Sequence, residues 1–259
     1  MGSINDQTSA LRADDLVVVT GAAQGFGRAI GRRLALSGAR LALWDIDERG
    51  AAETAALCCD EGAPIAQGYR VDLGVENDIE RVAKRTRDEI GLPFALINNG
   101  AIFPRTPILK LSAAEWNHVL AVNLTGAFLC SRQLAPMMVE SKRGVIVNIS
   151  STTAYLGDPN GAHYSAAKAG LISLTKSLAR ALAADNIRVN TVVPGIADTA
   201  QPLGAMTRDE LLARSKVIPL GRIGQPEDIA GTVAYLLSAD AAYITGQALA
   251  VNGGAFMLP

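Results

Sequence analysis

Histidine is nearly absent from this chain: His118 and His163 are the 2 found in 259 residues. No HExxH pair and no Cys/His ligand cluster can be assembled from them, so no metal site is expected. Cysteine is as scarce, with 3. Cys58 and Cys59 are neighbours whose bridging would demand strained geometry, and Cys130 sits in an apolar helical stretch. Reduced thiols are therefore expected rather than a disulfide framework. An excess of one charge is missing too: 24 Lys and Arg face 25 Asp and Glu, for a net charge of −1. Such a balance offers no basic field for phosphodiester backbones and argues against a nucleic-acid partner. No apolar run approaches the ~20 residues of a membrane span. The polar stretch 1–14 does not read as a signal peptide. A cytoplasmic protein with no membrane partner is expected.

What is present is core-forming material: 49% of the residues are hydrophobic, and 25 glycines and 11 prolines punctuate them. Strand-like and helix-like runs alternate along the chain. Strands are expected at 16–20, 40–44, 65–71, 94–98, 145–149, 187–193 and 248–251, and helices at 26–37, 48–58, 76–90 and 164–184, with a helical region over 112–141. Two further helices precede the last strand. Alternation of this kind builds βαβ units, hence a parallel sheet covered on both faces. The expected fold is α/β: a single-domain, doubly wound Rossmann sheet, mostly parallel and seven-stranded, over 15–259 after a polar extension at 1–14. Ser112 and Glu115 have capping-box spacing, flanked by Leu111 and Trp116 as a staple, and Thr207 with Glu210 repeats the spacing. Pro226, Glu227 and Asp228 read as another helix start. The stretch 196–215 interrupts the pattern and is where a loop over a ligand is expected.

Directly after the first strand comes Thr20-Gly21-Ala22-Ala23-Gln24-Gly25-Phe26-Gly27. Glycines between a strand and a helix let the backbone turn sharply and approach a pyrophosphate resting on the helix N-terminus. Asp45 ends the second strand, about the ~20 residues further on at which a carboxylate meets the adenosine ribose. It would repel a 2′-phosphate. Gln24 offers no positive charge there, and Arg49 lies in the next helix, so NAD is the expected cofactor rather than NADP. The alternative for Asp45 is a helix cap. Asp72, closing the third strand, is placed to meet the adenine or simply to shape a loop.

Tyr164 and Lys168 stand at i and i+4 at the start of a helix, so phenol and ammonium share a face. An ammonium ~4–5 Å from a phenol contributes ~3–4 kcal/mol at an effective dielectric of 20, enough to favour phenolate and a general base. Ser151 lies 13 residues before Tyr164, at a strand end.

Taken together, these residues resemble the short-chain dehydrogenase/reductase family. TGAAQGFG at 20–27, Asp45, VDL at 71–73, INNG at 97–100, VNLTG at 122–126, ISS at 149–151, YSAAK at 164–168, Pro194-Gly195 with Thr199, and ITGQ at 244–247 occur in the family's order. The resemblance implies Tyr164 as acid/base and Lys168 as its pKa-lowering partner and ribose ligand. It implies Ser151 as donor to the substrate oxygen and Asn123 as holder of a relay water. Cofactor contacts are implied at Gly21, Gln24, Phe26, Gly27, Asp45, Asp72, Leu73, Asn99, Tyr164, Lys168, Pro194, Ile196 and Thr199, and substrate contacts at Ser151 and Tyr164. A homotetramer and a small-molecule substrate are also implied. Two departures stand out. Gly100-Ala101 replaces Ala-Gly, so a Cβ at 101 is expected to crowd the cofactor, and Asn252 replaces Asp.

The expected pocket runs along 151–163, 102–105 and the 196–215 loop. Asp158, Asn160 and His163 read either as recognition groups for a hydroxylated substrate or as turn formers, with His163 facing solvent. Phe103, Ile196 and Leu203 suit an apolar secondary alcohol. The function expected is an NAD-dependent secondary-alcohol dehydrogenase. The alternatives are a 3-oxoacyl-thioester reductase and a nucleotide-sensing protein without turnover.

Overall fold

The structure is a computed structural model that describes residues 10–198 and 208–257. The β-branched and leucine-rich runs become strands β1 (Leu16–Thr20), β2 (Arg40–Asp45), β3 (Ala66–Arg70), β4 (Pro93–Asn98), β5 (Gly144–Ile149), β6 (Ile187–Pro194) and β7 (Ala248–Val251). They form one 7-stranded sheet in the order 3-2-1-4-5-6-7 with every pair parallel. The expected doubly wound fold is thus observed. Its third strand is one residue shorter at each end than the expected 65–71, although Ile65 O and Val71 N–H still bond to β2.

Residue alternation sorts each strand between two cores. Val17 and Val19 of β1, with Leu41, Leu43, Val145 and Val147, face α1 (Gly25–Ala35), α2 (Glu48–Asp60) and a late helix at Pro226–Leu237. Leu16 and Val18, with Trp44, Leu96 and Ile146, face α3 (Glu76–Glu89) and the helices of the second half. Trp44 is wholly enclosed there and satisfies its indole N–H on Thr86 Oγ1 at 3.1 Å. The three cysteines are free, and burial pushes the Cys58 and Cys130 thiols up to about 12, far from thiolate chemistry.

The helical region over 112–141 is not one helix. It is α4 (Ala113–Leu120), a π turn at Ala121–Thr125 and α5 (Gly126–Glu140), and the π turn carries Asn123. After β5 come the short α6 (Thr153–Leu156) and then α7 (Ala162–Leu182), which begins two residues before Tyr164. Helix α8 (Arg208–Ser215) and helix α9 (Pro226–Leu237) follow among the described residues. Pro226 opens α9 as expected, and the Asp228 carboxylate accepts the Gln225 N–H at 2.7 Å. Residues 199–207, hence Thr199, Leu203 and the Thr207 half of the second capping box, lie outside the described residues. The tail of the polar N-terminal stretch is fastened to the domain: Leu11 N–H donates to Leu237 O at 2.7 Å and its side chain packs against the core.

Strand order reverses between β1 and β4. At such a switch point the βα loops diverge and leave a crevice at the carboxyl ends of the strands.

Candidate active site

The crevice is a cleft of about 740 Å³ whose walls include Gly21, Gln24, Phe26, Asp45, Asp72, Leu73, Asn99, Phe103, Tyr164 and Lys168. Its floor at one end is the glycine turn. Gly21 has φ +64°, and a Cβ there would sit 2.6 Å from Gly100 Cα. Gly27 lies underneath, where a Cβ would stand 2.0 Å from Gly21 O. The turn is therefore packed backbone on backbone. Gln24 starts α1 without a side-chain cap, so the first amides of the helix are left for a ligand. Two ties lock the turn to β4: Asn99 Nδ2 donates to Thr20 O and Gly21 O at 3.0 Å each, and Thr20 Oγ1 accepts from Asn99 N and Gly100 N.

Asp45 does not cap α2. Asp47 does, accepting from Gly50 N at 3.1 Å. The Asp45 carboxylate instead accepts Ala23 N–H at 2.9 Å and Asp47 N–H at 3.0 Å, which fixes an anion on the cleft wall beside the glycine turn. Asp72 accepts Gly74 N–H at 2.8 Å and faces the same cleft. A glycine cradle that any Cβ would fill, an uncapped helix start and a fixed carboxylate fit an adenine dinucleotide.

The Gly100-Ala101 departure reads differently in three dimensions. Ala101 is exposed on the cleft wall, and Gly100 is a tight position, where a Cβ would meet Leu73 Cδ1 at 2.4 Å.

At the other end of the cleft, α7 presents Tyr164 and Lys168. Both are buried, and Lys168 Nζ lies 5.5 Å from the centre of the phenol ring while donating to Ile149 O at 2.7 Å. Burial pulls the Lys168 ammonium down to about 7. The attraction that favours phenolate thus competes with the desolvation of its own source. Ser151 Oγ accepts from Thr153 N at 3.2 Å and from Thr153 Oγ1 at 3.1 Å, just beyond β5. Its neighbour Ser150 lines the cleft and donates to Lys168 O at 2.8 Å. Asn123 accepts Ile102 N–H at 2.9 Å and donates to Ile102 O at 2.8 Å, so the π turn holds the chain that follows β4.

Not every expected residue meets here. Pro194 ends β6 and accepts Thr152 N–H at 3.0 Å. Ile196 lines a separate hollow of about 460 Å³ together with Gly195, Pro219, Asn252 and Gly254. Thr199 lies outside the described residues.

The contacts among the expected pocket residues, and the part Glu115 takes in them, went unread in the sequence. The Phe103 ring stands 4.4 Å from that of Tyr164, tilted by 49°. Arg105 lies over Phe103 and 3.8 Å from Asp158. His163 is not solvent-facing; it is fully enclosed, with Nε2 3.2 Å from Glu115 Oε1. Nor does Glu115 complete a capping box. Ser112 Oγ accepts Glu115 N–H at 3.1 Å, but the carboxylate turns away to Thr106 and His163. Beneath the site, Asn98 Nδ2 donates to Asn148 Oδ1 at 2.8 Å, Asn148 Nδ2 to Thr175 Oγ1 at 2.8 Å, and Thr175 meets Thr191 at 2.6 Å. This buried polar chain crosses the strands that carry the cleft.

Comparison with known proteins decides the lineage. A family model described as enoyl-(acyl carrier protein) reductase matches residues 21–255. The chain belongs to the short-chain dehydrogenase/reductase family. The 3-oxoacyl-(acyl-carrier-protein) reductase FabG of Vibrio cholerae is 36% identical over 94% of this chain and 98% of its own. The cis-4-hydroxycyclohexanecarboxylate dehydrogenase of Sinomonas cyclohexanicum is 39% identical over 93% of this chain and 96% of its own. A Beutenbergia cavernae protein assigned as an NAD(P)-dependent gluconate 5-dehydrogenase, with NADP bound at low occupancy, superposes with a TM-score of 0.89 at 35% identity, covering 95% of this chain and 98% of that one. Membership in the short-chain dehydrogenase/reductase family makes this chain an NAD(P)-dependent oxidoreductase acting on small molecules. No helix among the described residues is long and apolar enough to cross a membrane.

Proposed function

We propose that this protein is an NAD-dependent dehydrogenase interconverting a secondary alcohol and its ketone. The observation that carries the reading is the pairing of Tyr164 and Lys168 on one buried face of α7, inside the cleft headed by the glycine turn. When bound, the nicotinamide supplies the hydride acceptor for oxidation and the hydride donor for reduction. In oxidation the carbinol carbon gives up a hydride and its oxygen gives up a proton to the Tyr164 phenolate; reduction reverses both. Lys168 holds positive charge beside the phenol and favours its ionised form. Ser151, at the end of β5, donates to the substrate oxygen. Asn123 keeps the Ile102–Phe103 wall in place through its two bonds to Ile102.

Preference for NAD rests on Asp45. Its carboxylate is held on the wall by two backbone amides, and a 2′-phosphate brought against it would meet like charge with no cation supplied by Gln24. The kinship with 3-oxoacyl-(acyl-carrier-protein) reductases supports a second reading, reduction of a 3-oxoacyl thioester with NADPH. Tyr164→Phe tests the shared chemistry. The variant is expected to bind NADH normally and to lose about 10²-fold or more in turnover, the usual contribution of general acid–base catalysis. Turnover equal to wild type would remove Tyr164 from the reaction.

A further inference from the structure

The chain that follows β4 carries Phe103, and α7 carries Tyr164; the two rings touch at 4.4 Å. A single carboxylate bonds both elements. Glu115, in the first turn of α4, accepts Thr106 Oγ1–H at 2.7 Å and lies 3.2 Å from His163 Nε2, both on its Oε1. Thr106 is three residues past Phe103, and His163 immediately precedes Tyr164. One oxygen therefore joins the element bearing one ring to the element bearing the other. Backbone bonds run alongside, with Thr106 N–H donating to Asn160 O at 2.8 Å and Ile108 N–H to Pro159 O at 3.3 Å. They tie the same loop to the residues before α7 but stop short of the helix itself.

Two features argue that the bridge is more than packing. Glu115 sits where a capping-box carboxylate would turn back to the Ser112 backbone N–H, a local bond with little ordering cost. It makes the tertiary bonds instead. The enclosed His163 ring has Glu115 as its hydrogen-bond partner, and its Nδ1 finds none among the described residues. Glu115 thus sets the ring's orientation, and the ring belongs to the first turn of the helix that aims the phenol. The Thr106 hydroxyl bond, and after it the His163 bond, outweigh the opposing desolvation and hold the Glu115 carboxyl below its ordinary range, so it is a carboxylate at neutral pH.

We propose that Glu115, acting through Thr106 and His163, is a positioning residue that locks the start of α7 against the Phe103 loop and so sets where the Tyr164 phenol stands. The proposal rests on the reading of Tyr164 as proton donor and acceptor. Misplacing a reacting group by ~1 Å costs up to about 10²-fold in rate.

The test uses the full chain labelled with 3-fluorotyrosine. It contains 5 tyrosines, and the ¹⁹F signal of Tyr164 is the one missing from Tyr164→Phe. Contact with the tilted Phe103 ring displaces that signal by its ring current, and Phe103→Leu gives the position without it. Glu115→Ala is expected to move the signal towards the Phe103→Leu position and to lower kcat by about 10- to 100-fold, with NADH affinity unchanged. Glu115→Gln keeps an acceptor oxygen and should recover the wild-type signal and most of kcat. Thr106→Val removes one of the two bonds at a part-exposed site and should move the signal in the same direction; it decides the matter if Glu115→Ala does not fold. A Tyr164 signal unmoved in folded Glu115→Ala, or in Thr106→Val where Glu115→Ala fails to fold, overturns the proposal. So does failure of Glu115→Gln to restore the signal. Undiminished turnover by Tyr164→Phe would instead refute the catalytic reading, and the ring signal would still decide the bridge.

Discussion

Lys168 is a lysine placed where a charge is expensive. Its side chain is 2% exposed, and burial draws its pKa from 10.5 to about 7. A base whose folded-state value is depressed gives up its proton earlier in the folded protein than in the unfolded chain. Between pH 7 and 10.5 the unfolded chain therefore binds more protons, and stability rises with pH across that window. The difference corresponds to about 5 kcal/mol, of order of magnitude only, at ~1.4 kcal/mol per pH unit. Lys168→Met removes the titration. It also loses the bond to Ile149 O, which is strongest from the ammonium and so opposes only part of the effect. Urea unfolding of the cofactor-free wild type and Lys168→Met at several values from pH 6 to 10 gives the difference in stability at each. The lysine protein should be at its greatest disadvantage below pH 7 and should recover by roughly 1 kcal/mol per pH unit above it. A difference independent of pH would mean that Lys168 is not desolvated in the folded state. The competition between its charge and its burial would then fall, and the ammonium would stay charged beside Tyr164 throughout.

Other consequences follow from the packing of the cleft. Gly27→Ala drives a methyl into Gly21 O; it should cost about 1–3 kcal/mol in urea unfolding and abolish the fluorescence change on NADH binding. Asp45→Ala loses two charge-assisted bonds to the glycine turn and its neighbour, so NADH affinity should fall about 10-fold or more while the preference over NADPH narrows, read by fluorescence titration with both. Asn148→Leu takes one buried hydrogen bond each from Asn98 and Thr175; thermal unfolding should report a loss of about 2–3 kcal/mol with the NADH site intact.

The sheet was legible because buried parallel strands write themselves as short apolar runs, and β7 was located to the residue. The glycine turn, Asp45, Tyr164 and Lys168 were legible because strand–turn–helix context and i, i+4 spacing are local. What escaped was tertiary. Serine and glutamate three apart signal a capping box, yet the Glu115 carboxylate found better partners in Thr106 and His163, which lie near in space but not in sequence. A histidine at a helix start looks solvent-facing until the Glu115 side of α4 is folded over it. The tightness at Gly100 was not legible either, because only the fold brings Leu73 against that backbone. Ile196 follows a strand pointing at the cleft, but the chain bends and delivers it to the neighbouring hollow.

The central claim is an NAD-dependent oxidation of a secondary alcohol. Its most direct test is the rate of NADH formation from NAD⁺ across polyols, aryl secondary alcohols, hydroxysteroids and 3-hydroxyacyl thioesters, each repeated with NADP⁺. Turnover of one group is expected with kcat/KM at least about tenfold higher for NAD⁺, the least that like charge at Asp45 should impose. Turnover with NADP⁺ alone would contradict the role given to Asp45 and favour reduction of a 3-oxoacyl thioester instead.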